Sequence, residues 1–383
     1  MKVIQISSAS SSFAVKNYEE DVFLNWNARV GFELEKAYPE LEVEIWSIEK
    51  KQKREKIMGK NNIKFRVFPT NFSIRHGVEI SFDLIKALKS EINKAEIEKY
   101  KLIIHIHEYH SLLSYLLLKN IKKAGNIKII CQHHGGRAPF ANLKKHKKLW
   151  LVFPAIACLQ ALENYALKKV DLFYCLSDEE LQYARKFGKA KFQTMGIGEE
   201  YFSKLSNKAK LRKKLGLNKK KYVLYIGRIK KTKGISELLE AARNLREVEF
   251  LLIGGGDEAE VNEYKKLTME MKLKNVKFLG SIYGDKKIEY LDAVDCLVLP
   301  SYTEGAPVVV MEAIARNLPV AVSDVGGVRR MIQEEGIIIK PKSSEEVIRG
   351  IKEILTWKKN IRKYAEKYKW NKIIKQTYED YVN

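Results

Sequence analysis

Short runs of apolar, β-branched residues alternate with longer amphipathic stretches along this chain, and the whole pattern occurs twice. Such alternation is typical of β-α-β units, which build a parallel sheet covered by helices. The predicted strands of the first half are 3–6, 42–46, 102–106, 128–131 and 172–176, with helices at 23–35, 81–95 and 111–122. Those of the second half are 222–226, 249–253, 276–279, 296–299 and 319–322. The pattern therefore predicts an α/β protein with two parallel sheets.

The length of 383 residues suits two domains, each large enough to bury a core. A Lys-rich passage at 196–218 separates the two patterns and indicates a linker with a short helix at 208–215. We expect an N-terminal domain at 1–200, a C-terminal domain at 201–365, and a C-terminal helix at 366–383 that packs back on the N-terminal domain. Apolar residues at helical spacing favour an amphipathic helix in that last segment.

The chain is strongly basic, with 70 Lys and Arg against 47 Asp and Glu and a formal net charge of +23. This balance favours anionic partners, such as phosphorylated substrates, acidic lipid surfaces or nucleic acid. The cations are spread along the sequence, so a solvated surface explains most of them. Charge alone does not choose among these partners.

The cysteine spacing and the hydropathy of the sequence both favour a cytoplasmic location of the protein. The four cysteines are widely separated, which argues against a zinc site and against a secreted disulfide scaffold: Cys131, Cys158, Cys175 and Cys296. The chain opens with a strand pattern rather than a signal peptide, and no apolar run is long enough to span a bilayer. A cationic lead and an apolar run at 144–159 leave two interpretations open, an interfacial membrane segment or, slightly favoured, a core helix.

A basic loop follows the first strand of the second half and leads into a helix. It reads Gly-Arg-Ile-Lys-Lys-Thr-Lys-Gly over 227–234. Arg228 offers a planar fork and Lys233 a point charge, so the loop can bring two cations to a phosphate group. The pattern is not a P-loop.

A second loop, over 300–307, also follows a strand directly and carries Glu304. In the helix behind it, Val308 and Val309 are placed to offer backbone N–H groups to a diphosphate, and Pro307 suits the first turn. Glu312 should lie about one turn into this helix, where its carboxylate can accept two hydrogen bonds from a ribose diol. Glu304 can hold the hydroxyl groups of a sugar.

These motifs resemble the retaining glycosyltransferases of family 4, and the resemblance covers nearly the whole chain. The shared motifs are the Gly-Arg loop ending in Lys233-Gly234, the Glu-x7-Glu element from Glu304 to Glu312, a Gly-rich turn at 254–257 and a Phe-Leu-Gly segment at 278–280. The resemblance implies the GT-B fold, in which two Rossmann-like domains face each other across a cleft.

The resemblance also implies roles for residues of the second half. Arg228 and Lys233 would bind the donor diphosphate, Glu304 the donor sugar and Glu312 the ribose. The backbone near Ile282 would bind the base. The predicted donor site further includes Gly305, Ala306, Val308 and Val309. We expect no metal and no cofactor, since cations and a helix dipole do the work of a divalent ion.

In the first half the resemblance rests on His134, which follows a strand where the family often has a histidine that approaches the donor sugar. His133 is the competing choice. The family's early Gly-rich acceptor loop is replaced by a Ser-rich one at 7–12. His105 and His107 share one face of a strand, but we do not expect them to bind a metal.

The sequence therefore predicts a metal-independent, retaining transferase that moves a hexose from a UDP- or GDP-linked sugar to an acceptor hydroxyl. The acceptor is expected to be a glycan or a lipid-linked intermediate of polysaccharide biosynthesis, with peripheral contact to an anionic membrane at its inner face. A glycogen-type or sucrose-phosphate-type synthase differs only in subclass and remains open, and two other classes of protein are weighed against the prediction. A nucleotide-sugar epimerase would need paired acids and histidines in both domains, and a basic nucleic-acid-binding protein would need a recognition module that this sequence lacks.

Overall fold

The computed structural model describes residues 1–8, 23, 26–75, 78–134 and 153–383. These residues form two compact units. The first comprises Met1–Thr194 together with Ile373–Asn383, and the second comprises Met195–Lys372. Each unit is built around its own sheet.

The first unit contains an eight-stranded sheet and a two-stranded one. Its strands are β1 Lys2–Ser7, β2 Glu42–Glu49, β3 Lys56–Lys60, β4 Ile63–Pro69, β5 Phe72–Arg75, β6 Val78–Ile80, β7 Leu102–His107, β8 Ile127–Gln132, β9 Leu172–Cys175 and β10 Lys189–Phe192. Its helices are α1 Trp26–Ala37, α2 Phe82–Glu98, α3 Leu112–Asn120, α4 Phe153–Leu167 and α5 Asp178–Ala184.

The large sheet of this unit has the strand order β10-β9-β8-β7-β1-β2-β4-β3. All neighbours are parallel except β3, which pairs antiparallel with β4 at the edge. The central strands β1 and β7 are buried on both faces, so most of their residues are apolar and the polar side chains in them, Gln5, His105 and His107, are buried as well. Serines at 81, 111 and 177 cap the helices α2, α3 and α5 by accepting a backbone N–H.

The second unit contains a six-stranded sheet. Its strands are β11 Lys221–Ile226, β12 Val248–Ile253, β13 Val276–Gly280, β14 Cys296–Leu299, β15 Val320–Ser323 and β16 Ile337–Ile339. Its helices are α6 Lys208–Lys214, α7 Ile235–Asn244, α8 Glu258–Glu270, α9 Gly284–Ala293, α10 Val308–Ala315, α11 Val328–Ile332 and α12 Ser344–Ile354. Short 3₁₀ segments occur at Glu199–Phe202, Lys231–Lys233 and Arg362–Tyr368. The last helix, α13, is Trp370–Val382.

The sheet of the second unit is parallel throughout, in the order β13-β12-β11-β14-β15-β16. The predicted α/β architecture with a parallel sheet in each half is therefore confirmed, as is the short helix predicted at 208–215. The strands β3 to β6, β10 and β16 were not predicted. Most of them are short or lie at a sheet edge.

The apolar part of the predicted membrane segment overlaps α4, where Cys158 is exposed; its cationic lead at 144–148 lies outside the described residues. Within the part of the chain that is described, none of the helices combines the length and hydropathy needed to cross a bilayer.

Candidate functional site

The two loops that carry the predicted donor residues leave neighbouring strands. In the second sheet, β11 lies between β12 and β14, so the strand order reverses at β11. Open α/β sheets bind ligands outside the carboxyl ends of their strands at such a reversal. The loop 227–234 follows β11 and the loop 300–307 follows β14, and the fold thus brings both to one edge.

The basic loop is held by backbone hydrogen bonds. Gly227 donates its N–H to Ile253 O at 3.0 Å, and Ile229 donates to Gly255 O at 2.8 Å. The Tyr225 hydroxyl donates to the carbonyl of Arg228 at 2.8 Å, while the Arg228 side chain is exposed. The loop is therefore fixed in its backbone and open at its guanidinium group.

Positive charge is concentrated in this loop. Burial, followed by the nearby positive charges of Arg228 and Lys233, lowers the pKa of Lys230. An anion bound among these three cations would relieve their repulsion. The electrostatics of the loop therefore favour an anionic ligand.

The Gly-rich turn at 254–256 makes room for the basic loop. Gly254 has φ +145°, and a Cβ atom there would lie 1.8 Å from Gly227 O. A Cβ on Gly256 would lie 2.4 Å from Ile229 O. Side chains in this turn would push the basic loop away from the sheet edge. Glycine is needed at these positions because the backbones of the turn and of the basic loop lie in close contact.

The two predicted loops contact each other through an ion pair. Lys233 Nζ lies 2.6 Å from Glu304 Oε1, and both side chains are largely buried, at 15% and 12% exposure. Ser301 Oγ donates to the same carboxylate oxygen at 2.6 Å. The backbone N–H of Tyr302 donates to Thr232 O at 2.9 Å. Lys233 and Glu304, which are 71 residues apart in sequence, are therefore held together by the fold.

The helix α10 begins at Val308, so Pro307 occupies the N-cap position and not the first turn, and no side chain caps the N-terminus. Its first turn therefore has backbone N–H groups and a positive dipole end for an anion. Gly305 is fixed because its carbonyl accepts the N–H of Gly327 at 2.7 Å. Gly305, Ala306, Val308 and Val309 all lie partly exposed along this approach to the helix.

Glu312 lies one turn into α10 and is 8% exposed. Its Oε2 atom is 2.5 Å from the Nζ atom of Lys287, on α9. The aliphatic part of Lys287 brings its ammonium group within 5.3 Å of the Tyr201 ring. Sequence reasoning missed Lys287, which is one lysine among many and has no motif around it.

Ile282 lies in the turn between β13 and α9 and is partly buried. The preceding Gly280 accepts the backbone N–H of Gly254 at 2.8 Å, so this turn stands beside the Gly-rich turn. Ile282 therefore belongs to the same edge of the sheet as the two loops.

In the first unit, His107, Glu108 and His134 lie at the carboxyl ends of β7 and β8. The Nε2 atom of His134 is 2.7 Å from the Nδ1 atom of His107. Burial lowers the pKa of His134 to about 3, with smaller contributions from His133 and His105. Glu108 has φ +60°, which is unusual for this residue type, and its carbonyl accepts the Ser8 hydroxyl at 2.8 Å. The Ser-rich loop beyond Ser8 lies outside the described residues.

His133 has different partners from His134. Its Nδ1 atom is 3.0 Å from Glu180 Oε1, and that oxygen also accepts the Tyr109 hydroxyl at 3.0 Å. Burial tends to raise the pKa of Glu180, but the hydrogen bond and charge of His133 together with the Leu176 N–H outweigh it and lower the pKa. His133 therefore contacts the buried carboxylate of Glu180, whereas His134 contacts His107.

His105 and His107 stack with ring centroids 4.4 Å apart. His105 Nδ1 contacts the Tyr381 hydroxyl, and both ring nitrogens of His107 have hydrogen-bond partners. Among the described residues, no group of three or more His, Cys, Asp or Glu side chains could hold a metal ion.

Residues 207–371 match the family described as glycosyl transferases group 1. The chain is 27% identical over 338 residues to an uncharacterized glycosyltransferase of Methanocaldococcus jannaschii, covering 83% of each chain. These similarities support a group 1 glycosyltransferase. The chain is also 27% identical over 287 residues, 71% of each chain, to the UDP-Gal:alpha-D-GlcNAc-diphosphoundecaprenol alpha-1,3-galactosyltransferase of Escherichia coli. A further relative is named as the teichuronic acid biosynthesis glycosyltransferase TuaC of Bacillus subtilis. The two sequences are 37% identical over 146 residues, which span 38% of this chain and 36% of TuaC.

Solved structures of glycosyltransferases share the fold over the whole chain. Sucrose-phosphate synthase from Thermosynechococcus elongatus has a TM-score of 0.70 at 21% identity, covering 100% of this chain and 98% of that one. HepE of Anabaena, solved in complex with UDP, has a TM-score of 0.68 at 16% identity and covers 100% of both chains. The chain therefore has the GT-B fold.

Proposed function

We propose that this chain is a retaining glycosyltransferase that moves a hexose from a UDP- or GDP-linked sugar to an acceptor hydroxyl. The observation that carries this proposal is the meeting of the Lys233–Glu304 pair, the uncapped N-terminus of α10 and the Lys287–Glu312 pair at one sheet edge. Together they offer cations and N–H groups for a diphosphate and carboxylates for the hydroxyl groups of a sugar and a ribose.

In the proposed reaction, the bond between the anomeric carbon and the diphosphate oxygen breaks while the acceptor oxygen bonds to the same face of that carbon. The electron pair leaves with the diphosphate, which Arg228, Lys233 and the helix N-terminus stabilise, and the acceptor proton passes to the departing phosphate oxygen. Stabilisation of this developing charge is the main catalytic effect. No protein nucleophile is assigned, so Glu304 is a sugar-binding residue.

We further propose that the acceptor is a lipid-linked or cell-surface glycan, that no metal is required, and that the protein acts in the cytoplasm at the membrane surface. The names of the galactosyltransferase and the teichuronic acid relative support a polysaccharide role. Co-sedimentation with anionic and neutral liposomes tests the membrane part, since pelleting with neither contradicts it.

The decisive experiment is a donor screen that measures release of nucleoside diphosphate from UDP- and GDP-linked sugars, with and without EDTA. Removing one charge-stabilising group typically reduces turnover about 100-fold. We expect losses of that order in Arg228→Ala and Lys233→Ala. Lys231→Ala is the matched control, because Lys231 is exposed in the same loop. Unchanged turnover in both test variants contradicts the assignment, and so does salt-sensitive RNA binding without any sugar-nucleotide binding.

A further inference from the structure

The hairpin of β5 and β6 in the first unit exposes apolar side chains and buries an acid. On the inner strand β6, the Glu79 side chain is 0% exposed. On the outer strand β5, Phe72 is 47% exposed and Ile74 is 73% exposed. Phe82, the first residue of α2, is also exposed, at 62%. Large apolar side chains that lie together at a protein surface mark an interaction site, whereas scattered ones are ordinary.

These three apolar residues are held close to one another. Asn71, directly before Phe72, donates its N–H to Ile80 O at 2.9 Å, and its side-chain oxygen accepts the N–H of Phe82 at 2.7 Å. Phe72 also pairs with Ile80 across the hairpin. The strand pairing skips Ile74, which is the extra residue of a β-bulge. Because a bulge redirects a side chain, this irregularity explains the high exposure of Ile74.

A cluster of cations is attached to the same hairpin. The segment 50–54, which follows β2, reads Lys-Lys-Gln-Lys-Arg and contains no acid. Lys50 Nζ lies 3.1 Å from Glu79 Oε1, so the buried acid of the hairpin balances the charge of Lys50 and holds the start of the segment. The three cations beyond it are exposed: Lys51, Lys53 and Arg54.

We infer that the hairpin and the segment 50–54 together dock on an anionic lipid bilayer. The docking surface consists of three apolar and three cationic side chains: Phe72, Ile74, Phe82, Lys51, Lys53 and Arg54. Negatively charged headgroups attract the cations, and apolar side chains beside them enter the boundary between headgroups and acyl chains. The inference rests on the proposed function, which brings the protein to a membrane, and it assigns that contact to one surface of the first unit.

The docking surface lies at the edge of the large sheet where its parallel strands end. β2 and β4 run parallel to β1 and β7. Thr70, which leads from β4 into the hairpin, donates its N–H at 3.2 Å to the carbonyl of Glu49, the last residue of β2. The strand order of this sheet reverses at β1, where an open α/β sheet binds its ligand. A bilayer at this edge would bring a lipid-linked acceptor to the first unit's own ligand-binding edge.

A second copy of the chain fits this surface less well than a bilayer. A two-fold dimer places the same patch of both copies face to face, so the three cations of one copy would oppose those of the other. Like charges across an interface oppose association. An anionic bilayer instead presents the opposite charge over the whole surface.

Co-sedimentation tests the inference with vesicles of phosphatidylcholine alone and of phosphatidylcholine mixed with phosphatidylglycerol. We expect the wild-type, full-length protein to prefer the mixed vesicles. The double variant Phe72→Ser with Ile74→Ser should weaken this binding about tenfold or more, because it removes apolar surface that enters the bilayer. Lys51→Gln with Lys53→Gln should weaken it by about fivefold per cation removed.

Each double variant has a matched control. Ile97→Ser removes an equally exposed apolar side chain at the far end of α2, and Lys265→Gln with Lys277→Gln removes two exposed lysines of the second unit. The two lysine variants change the net charge equally, so a difference between them reports the position of the charge. We expect both controls to bind the mixed vesicles nearly as the wild type does. Equal binding by the test variants and their controls overturns the inference.

Two further outcomes would also overturn it. One is a wild-type protein that binds both kinds of vesicle equally or neither of them. The other is self-association of the wild type without lipid, measured by sedimentation velocity, that the variant Phe72→Ser with Ile74→Ser abolishes, because the surface would then belong to a second copy. Failure of the proposed transferase activity is recognised separately, since vesicle binding needs no nucleotide sugar and the donor screen needs no vesicle.

Discussion

At the residue scale, each predicted acid of the second unit is paired with a lysine. Lys287→Met removes the partner of Glu312 and leaves that largely buried carboxylate without its compensating charge. Since Glu312 is proposed to bind the ribose, we expect about tenfold weaker binding of UDP or GDP, or ~1.4 kcal/mol, measured by titration calorimetry. Lys286→Met is the control because Lys286 is exposed next to it. Equal affinities of the two variants contradict this prediction.

Lys233 and Glu304 could be identified from sequence motifs because each lies in a loop that directly follows a buried strand. In a parallel sheet such loops lie together at one edge. Lys287 and Glu108 could not be found in this way. Lys287 reaches Glu312 from the first turn of α9, and only the tertiary structure decides that this lysine, and not its neighbour Lys286, forms the ion pair. Glu108 is distinguished by its backbone conformation, which residue type does not reveal.

At the element scale, the contact between the two donor loops depends on one glycine. Gly234 has φ +69°, and a Cβ there would lie 2.0 Å from Pro300 O. Gly216 has nearly the same φ, +66°, but a Cβ there would meet nothing within 4 Å. Gly216→Ala should therefore cost about 1 kcal/mol of unfolding free energy through backbone strain alone. Gly234→Ala should cost at least ~3 kcal/mol, because the loops must also separate.

Thermal unfolding checks this comparison, since about 1 kcal/mol shifts the Tm of a unit of this size by roughly 3 °C. A loss of Tm that is the same in both alanine variants would show that the close approach of Gly234 to Pro300 contributes nothing.

The segment that precedes α6 depends on a buried ion pair. The guanidinium of Arg316 forms two hydrogen bonds with the carboxylate of Asp292, at 2.7 and 2.6 Å, and both side chains are almost fully buried. Arg316 also donates to the carbonyls of Tyr201, Ser203 and Lys204. Arg316→Leu should lower the unfolding free energy by ~3 kcal/mol or more, because it leaves Asp292 buried and unpaired.

The double variant Arg316→Leu with Asp292→Leu separates the two causes of that loss. If the unpaired carboxylate dominates, urea unfolding should show the double variant to be more stable than Arg316→Leu alone. A double variant that is less stable instead assigns the loss to the carbonyl contacts of Arg316.

Elements with strong periodicity or a continuous apolar run were predicted from the sequence, whereas the edge of the first sheet was not. β3 carries the sequence Lys-Ile-Met-Gly-Lys and is mostly exposed, since it pairs on one side only. Its identity as a strand comes from β4, where Ile63, Phe65 and Val67 alternate inward. Pairing between neighbours, which is a tertiary property, decides such strands.

At the scale of the whole molecule, the buried histidines make stability depend on pH. Burial lowers the pKa of His105 and His134 to about 3, and that of His107 well below 6.5, the ordinary value that applies to the unfolded chain. Below pH 6.5 the unfolded state therefore binds more protons than the folded state. The free energy of unfolding consequently decreases as the pH is lowered. Each histidine contributes about 1.4 kcal/mol at one unit below its unfolded pKa.

The three histidines together should lower the unfolding free energy by roughly 4 kcal/mol between pH 7.5 and 5.5, measured by urea unfolding. Carboxyl groups with lowered pKa, such as Glu163 and Asp295, act in a different window, because their contribution is lost only below their ordinary values of 4.5 and 3.8. The interval from pH 5.5 to 6.5 therefore reports the histidines. His105→Gln should reduce the slope of the unfolding free energy against pH in this interval by about one third, whatever the substitution does to stability at pH 7.5. A wild-type unfolding free energy that stays constant from pH 7.5 to 5.5 would mean that these imidazoles are protonated in the folded protein.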